Sequence, residues 1–296
     1  MEDKMKSLLL ENGDFEPAFQ NDILDFIFAK SKRLRPLTVF LIKNMFNSSD
    51  DKLVDLAIAL EILHSATLVH DDIIDNARIR RLNPAFNFKY NPQIAVILGD
   101  YLLSLSLKLL SKIGSAAVFS YFADNTLKIC KGEINQFFNK EKTVTIEEYL
   151  EKSKNKTSSL FLCGAKSALH LINKEKLLSN GENDAILDFV LNFSLAFQIY
   201  DDIENFKSDF EALNTEKQSS DLKNGIYTLP FLYISQQNHL YDIINLNKDD
   251  KVYKEALEFS KNYKDKILNE AQNSINKLND EYNTSLFIKL ADVFKN

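Results

Sequence analysis

The chain has 296 residues, 45 % of them hydrophobic and 26 % charged, with a formal net charge of −6; that is enough apolar material for a core. Only 7 Gly and 5 Pro occur, where average usage would give roughly 20 and 15. Hairpins, glycine phosphate loops and linkers all consume those residues while long helices do not, so an all-α fold is expected. Two cysteines (Cys130, Cys163) and four histidines exclude a disulfide scaffold, a multi-cysteine zinc site and a His-rich centre. The acidic balance excludes a general nucleic-acid binder, but a local basic cluster or a bound cation still permits an anionic small substrate.

In chain order, apolar residues recur three and four apart over Asn21 to Ala29, Leu37 to Phe46, Leu53 to about Asp75 and Ile94 to Leu110. Further helical segments are expected over about 116–138, 146–172, 184–206, 226–237 and 251–278. Breaks fall at Asn47 to Asp51, Asn83-Pro84 and Ser179 to Asn183, and Asn205 to Asn224 reads as a loop. The Lys/Asn/Glu-rich C-terminal third has a weaker apolar stripe and is expected on the outside. Neither a repeat nor a linker divides the chain, so 1–296 reads as one domain. No apolar run reaches ~18–20 residues and the first residues lack a signal core, so the expectation is a cytoplasmic protein without stable membrane insertion.

Adjacent aspartates occur four times. Asp50-Asp51 and Asp249-Asp250 lie in polar turns and read as solvated charge. The other two lie inside apolar helical patterns, at Leu68 to Asp75 and Ala196 to Ile203. Carboxylates there repel one another and need a positive partner. Asp71 and Asp75 are one turn apart, with Asp72 beside them. Such carboxylates, without Cys, suit Mg²⁺ together with substrate phosphates; structural pairing with arginine is the alternative. Basic residues concentrate at Lys30 to Pro36 and at Arg78, Arg80 and Arg81. Lys and Arg ahead of a helix with Pro in its first turn form a ready diphosphate cradle.

In this order the motifs resemble those of the trans-isoprenyl diphosphate synthases (polyprenyl synthetases), the medium- and long-chain members most. Lys-Arg-Leu-Arg-Pro at 32–36 is similar to the family's G-K-R-x-R-P, and His64 to Asp75 to its first aspartate-rich motif, with Arg80-Arg81 following. Gly99-Asp100, Gly132-Glu133 with Gln136, Lys156-Thr157, Phe197 to Asp202, and Asp221 to Pro230 complete the series.

The resemblance implies an all-α, single-domain bundle of about 10–13 helices around a deep central cavity, with the aspartate motifs facing each other across its mouth. It implies a prenyltransferase that condenses isopentenyl diphosphate with an allylic diphosphate (farnesyl or geranylgeranyl diphosphate). Asp71, Asp75 and Asp201 would hold Mg²⁺, three ions with substrate bound, supported by Asp72 and Asp202. Arg80 would bind the allylic diphosphate; Lys32, Arg35, His64 and Arg81 would bind isopentenyl diphosphate without metal. Lys156, Thr157 and Gln198 would sit near the reacting carbon, and Lys217 would serve the late loop. A homodimer is the family's usual state.

Ala66 and Thr67 lie one turn before Asp71 on the same face, where short-product enzymes place an aromatic plug. Small side chains there predict a product longer than C15, in the C30–C40 range, and the resemblance implies that it is all-trans. The chain departs from the family at Ser31, Leu82, Asn205 and Ile226, which keeps an impaired subunit of a heteromeric synthase open beside a shorter-chain synthase. A terpene cyclase needs no second anion site. A di-iron bundle needs paired Glu-x-x-His motifs, of which Glu61-x-x-His64 is a single copy. A non-catalytic helical interaction protein is the remaining alternative.

Overall fold

The computed structural model describes residues 1–29, 31–80, 83–138, 145–173, 179–212, 228–236, 250–278 and 281–295, with side chains left aside at 136–138 and 209–212. Arg81, Lys217, Leu82, Asp221 and Ile226 therefore lie outside the described residues, as does the side chain of Gln136.

The fold is all-α, as the composition predicts. In chain order the helices are α1 (Glu2–Asn12), α2 (Pro17–Phe28), α3 (Leu34–Met45), α4 (Lys52–Ile74), α5 (Phe86–Lys89), α6 (Pro92–Ile113) and α7 (Ala116–Phe138). They continue as α8 (Ile146–Ser153), a π-helical segment (Lys154–Ser158), α9 (Ser159–Asn173), α10 (Asn180–Ala212), α11 (Leu229–Gln236), α12 (Lys251–Ile275) and α13 (Ser285–Val293). The described strands are a two-residue antiparallel pair, β1 (Ile79–Arg80) and β2 (Asn83–Pro84), closed by Ala85 N–H donating to the Arg78 carbonyl at 3.0 Å.

The helix ends are written locally. Glu16 accepts from the Ala18 and Phe19 amides, with Pro17 opening α2. Asn91 caps α6 ahead of Pro92, and Gly114 ends that helix in the left-handed region at φ 69°. Thr145 and Glu148 form a capping box on α8.

Contacts gather the chain into two compact units, Met1–Tyr121 with Gly164–Leu177, and Phe122–Cys163 with Leu178–Asn296. In the first unit α4 packs along α6 and against α3. Gly99 of α6 leaves room for His70 of α4: a Cβ there would meet His70 Nε2 at 2.2 Å. By length and hydropathy α4 and α6 could each span a membrane, but 72 % of the apolar window of α4 and 44 % of that of α6 are buried in protein.

In the second unit Phe189, Phe193 and Phe197 recur every four residues along α10 and meet Phe287 and Phe294. The C-terminal third is not peripheral, contrary to the sequence expectation. Helix α12 packs along α10 through buried Tyr253, Ala256, Ser260, Ile267, Leu268 and Ala271. Small side chains let the two helices approach without a wide apolar stripe. Helix α10 also begins at Asn180 and runs to Ala212, through the first part of the expected loop.

Candidate active site

In the first unit the site is built on α4. From Asp55 to Ala66 every residue of this helix is buried except His64. An accessible stripe then runs through His64, Thr67, Leu68, Asp71 and Asp75, spaced i, i+3, i+4, i+7 and i+11 on one face. His70, Ile73 and Ile74 open on another side near the helix end.

That end is fixed by a Schellman motif. Asn76 takes φ 50°, Ala77 N–H donates to the Asp72 carbonyl at 2.8 Å and Asn76 N–H to Ile73 at 3.2 Å. Asn87 Nδ2 adds bonds of 3.0 Å to the carbonyls of Asp72 and Ala77. The last turn is thereby held where Asp71 is half-buried and Asp75 exposed.

Asp72 is different. It is 2 % exposed, and its Oδ1 accepts from both Nε (2.7 Å) and Nη2 of Arg80. The aspartate cluster is thus divided: Asp72 is committed to an arginine as a structural ion pair, while Asp71 and Asp75 face outward. Two of the three guanidinium nitrogens of Arg80 are engaged by Asp72. Arg80 also lines a cavity of about 180 Å³ with Asp22, Asp25, Phe26, Asn83 and Lys89.

Arg35 and His64 meet, Nη1 to Nε2, at 3.0 Å. Arginine only donates, so the imidazole accepts at Nε2 and carries its proton at Nδ1. Lys32 is exposed on the turn leading into α3. Between Lys32 and Arg35, Arg33 adopts the left-handed region (φ 48°, ψ 32°) at the helix cap and donates to Glu61 and to the Ile27 carbonyl. Glu61 and His64 therefore hold two different arginines, and their Glu-x-x-His spacing serves neither a shared nor an iron site. Ala66 is 2 % exposed; Thr67 is half-buried, its hydroxyl bonded to the His64 carbonyl at 2.8 Å.

The second unit carries the other candidates. Lys156 and Thr157 lie in the π-helical segment, a wide turn that recurs at functional sites. Lys156 is exposed and pairs with Glu133 at 2.8 Å. Thr157 is buried and donates to Gln198 Oε1 at 2.5 Å. Gln198 Nε2 donates to Asp202 Oδ1 at 2.8 Å, and the Tyr149 hydroxyl donates to Asp202 Oδ2 at 2.6 Å. Burial pushes the Tyr149 phenol well above its usual range, and the facing Asp202 carboxylate adds to the shift. Asp201 is half-buried, and Asn205 is exposed one turn further along α10.

Sequence reasoning missed Tyr149, Glu133, Arg33 and Glu61 as members of these clusters. Gly132-Glu133 and the KRLR run carried the signal for two of them; Tyr149 carried none. Among the described residues no three His, Cys, Asp or Glu side chains are grouped as a preformed metal site. Magnesium commonly completes its shell with substrate phosphates and water, and the outward pair Asp71/Asp75 offers the hard oxygen donors it takes.

Comparison with known proteins agrees with these features. A "Prenyl transferase" of Cyanophora paradoxa is 35 % identical over 71 % of this chain and 65 % of its own length. A "Heptaprenyl diphosphate synthase component 2" of Bacillus subtilis is 34 % identical over 71 % of this chain and 59 % of its own. In both cases the alignment spans less than two thirds of the relative. The crystal structure of heptaprenyl diphosphate synthase from Staphylococcus aureus superposes with a TM-score of 0.81 at 26 % identity, covering 99 % of this chain and 95 % of that one. The Polyprenyl synthetase family pattern matches residues 17–262, and this chain belongs to that family.

Proposed function

We propose that the chain transfers prenyl groups, condensing isopentenyl diphosphate with an allylic diphosphate to lengthen an all-trans polyprenyl chain. The observation that carries the reading is the accessible stripe of α4. It presents His64, joined to Arg35, and the outward carboxylates Asp71 and Asp75 on one face. His64 and Asp71 are separated by about 10 Å of helix rise. A basic cradle and a carboxylate pair at that spacing suit two anionic head groups, one bound by cations alone and one through a divalent ion.

The roles follow residue by residue. Lys32, Arg35 and His64, with Arg81, bind isopentenyl diphosphate directly, as cations at the start of a helix do. Asp71, Asp75 and Asp201 would hold Mg²⁺, and Arg80, steadied by Asp72, and Lys217 meet the allylic diphosphate. Magnesium, when bound, supplies charge neutralisation at the departing diphosphate. Lys156 adds a cation at the same oxygens, kept in place by Glu133. The Thr157 hydroxyl and Gln198 amide turn oxygen dipoles toward the allylic cation, while apolar walls keep water from it. The small side chains at Ala66 and Thr67 support a product longer than C15, in the C30–C40 range. The family match runs through both compact units, which supports one functional domain.

Exposed apolar residues recur on one face of α7, at Phe119, Leu127 and Ile134, which supports a homodimer joined through this helix. A cytoplasmic location without stable membrane insertion completes the reading. The deciding experiment incubates the purified chain with labelled isopentenyl diphosphate, farnesyl diphosphate and Mg²⁺, followed by chromatography of the dephosphorylated products. A ladder beyond C15 is expected, and failure to consume isopentenyl diphosphate overturns the reading. Asn205, standing one turn beyond Asp201, favours a second reading as one subunit of a heteromeric synthase; activity of the chain on its own decides against it.

A further inference from the structure

We propose that Tyr149 is a positioning residue for prenyl transfer: by pinning Asp202 it fixes the amide of Gln198, and so aims the oxygen dipoles of Gln198 and Thr157. This rests on the prenyl-transfer reading above, and it gives Asp202 a different task from Asp201.

Asp202 is 5 % exposed within α10, and a carboxylate so placed must have its lone pairs met. Oδ2 accepts from the Tyr149 hydroxyl and Oδ1 from Gln198 Nε2. A carboxylate only accepts, so Gln198 has to turn its NH₂ toward Asp202 and its carbonyl oxygen away. That oxygen lies 2.5 Å from Thr157 Oγ1, which donates to it. The order is directional: Tyr149 and Gln198 both give protons to Asp202, and Thr157 gives its proton to Gln198. With its hydrogen spent, the Thr157 hydroxyl can offer only lone pairs to a third group. The Gln198 carbonyl keeps a second lone pair as well. Both are the negative ends that an electron-poor carbon attracts.

Tyr149 is the distant support of this arrangement. It lies on α8, 53 residues before Asp202, and is buried at 5 % exposure. Removing its hydroxyl leaves Oδ2 without that donor in a site closed to water. Asp202 then turns toward the remaining donors, and the Gln198 amide is released to rotate. A flipped amide presents its NH₂, the wrong end of the dipole, to a developing cation.

The test is a double-mutant cycle of Tyr149→Phe and Gln198→Ala, read by steady-state kinetics with isopentenyl diphosphate, farnesyl diphosphate and Mg²⁺. Tyr149→Phe keeps the ring in place. It is expected to lower kcat on the order of tenfold. The KM of both diphosphates and the half-saturating Mg²⁺ concentration should stay within about twofold of wild type. On the Gln198→Ala background the same change should cost less than about twofold, because the residue acts through Gln198. Equal losses on both backgrounds, an unchanged kcat, or a raised Mg²⁺ requirement would each overturn the proposal. If the wild-type chain transfers no prenyl group, the underlying reading fails separately. The positional claim is then settled by the crystal structure of Tyr149→Phe: a rotated Gln198 amide upholds it, and an unmoved one refutes it.

Discussion

Arg33 and Glu61 form a part-buried ion pair at the cap of α3, between Lys32 on the entering turn and Arg35 in the first turn of the helix. Glu61 is 2 % exposed and Arg33 14 % by side chain, and the arginine also donates to the Ile27 carbonyl. Left-handed backbone at a residue with a Cβ costs about 1–2 kcal/mol. Here the ion pair and the carbonyl bond offset that cost, and the flanking Lys32 and Arg35 inherit their positions from it.

Breaking that pair is therefore expected to act on stability and on one substrate. Glu61→Ala removes the buried partner of a half-buried guanidinium that keeps Glu2 and the Ile27 carbonyl, and should lower stability by about 1–3 kcal/mol, read by urea denaturation. In whatever folded fraction remains, the KM for isopentenyl diphosphate should rise more than that for the allylic substrate. A parallel rise in both would show that the turn does not serve the metal-free site.

The aspartates of the first motif should separate by role. Asp71→Asn and Asp75→Asn are expected to cut turnover by about 10² or more and to raise the Mg²⁺ concentration needed, with melting temperature little changed. Asp72→Asn should do the reverse in part, lowering the melting temperature because Arg80 loses a buried partner. Magnesium titrations of turnover alongside thermal melts distinguish the two patterns; identical behaviour of all three would count against the division.

Gly99→Ala should displace the His70 ring. The added Cβ would lie 2.2 Å from His70 Nε2, but that side chain is 35 % exposed and can swing into solvent, while Ala in place of Gly inside a helix contributes about 1 kcal/mol. Stability should therefore stay within about 1 kcal/mol of wild type, measured by denaturant unfolding, with the imidazole moved in the crystal structure. A loss well above that would mean that the ring is held in place.

Product length offers a test at a single position. Thr67 is half-buried on the accessible stripe, whereas Ala66 is fully covered, so an aromatic ring is better accommodated at 67. Thr67→Phe is expected to shift the ladder toward shorter products while isopentenyl diphosphate is still consumed. Ala66→Phe should shorten it too, at a greater cost in stability. An unchanged ladder from Thr67→Phe would remove this position from the product channel.

The all-α fold was legible because Gly and Pro scarcity and three-four spacing are one-dimensional signals. The aspartate segments were legible because charge within an apolar helix is conspicuous in the sequence itself. What escaped was pairwise and distant. Tyr149 and Asp202 are 53 residues apart, and Arg33 and Glu61 are 28 apart, so neither bond leaves a local trace. The packing of α12 on α10 escaped because Ala256, Ser260 and Ala271 do not register as an apolar stripe. The π-helical turn at Lys154–Ser158 escaped because nothing in the sequence marks where a helix widens. Glu61-x-x-His64 misleads in the other direction, since spacing suggests one joint task and tertiary partners assign two.

Because His64 and Asp71 belong to a single rigid rod, the separation of their backbones along the axis is set by residue count. Loop motion would leave that separation unaltered. One residue inserted between Thr67 and Asp71 would swing the carboxylates about 100° around the axis, keeping every chemical group while destroying the register between them.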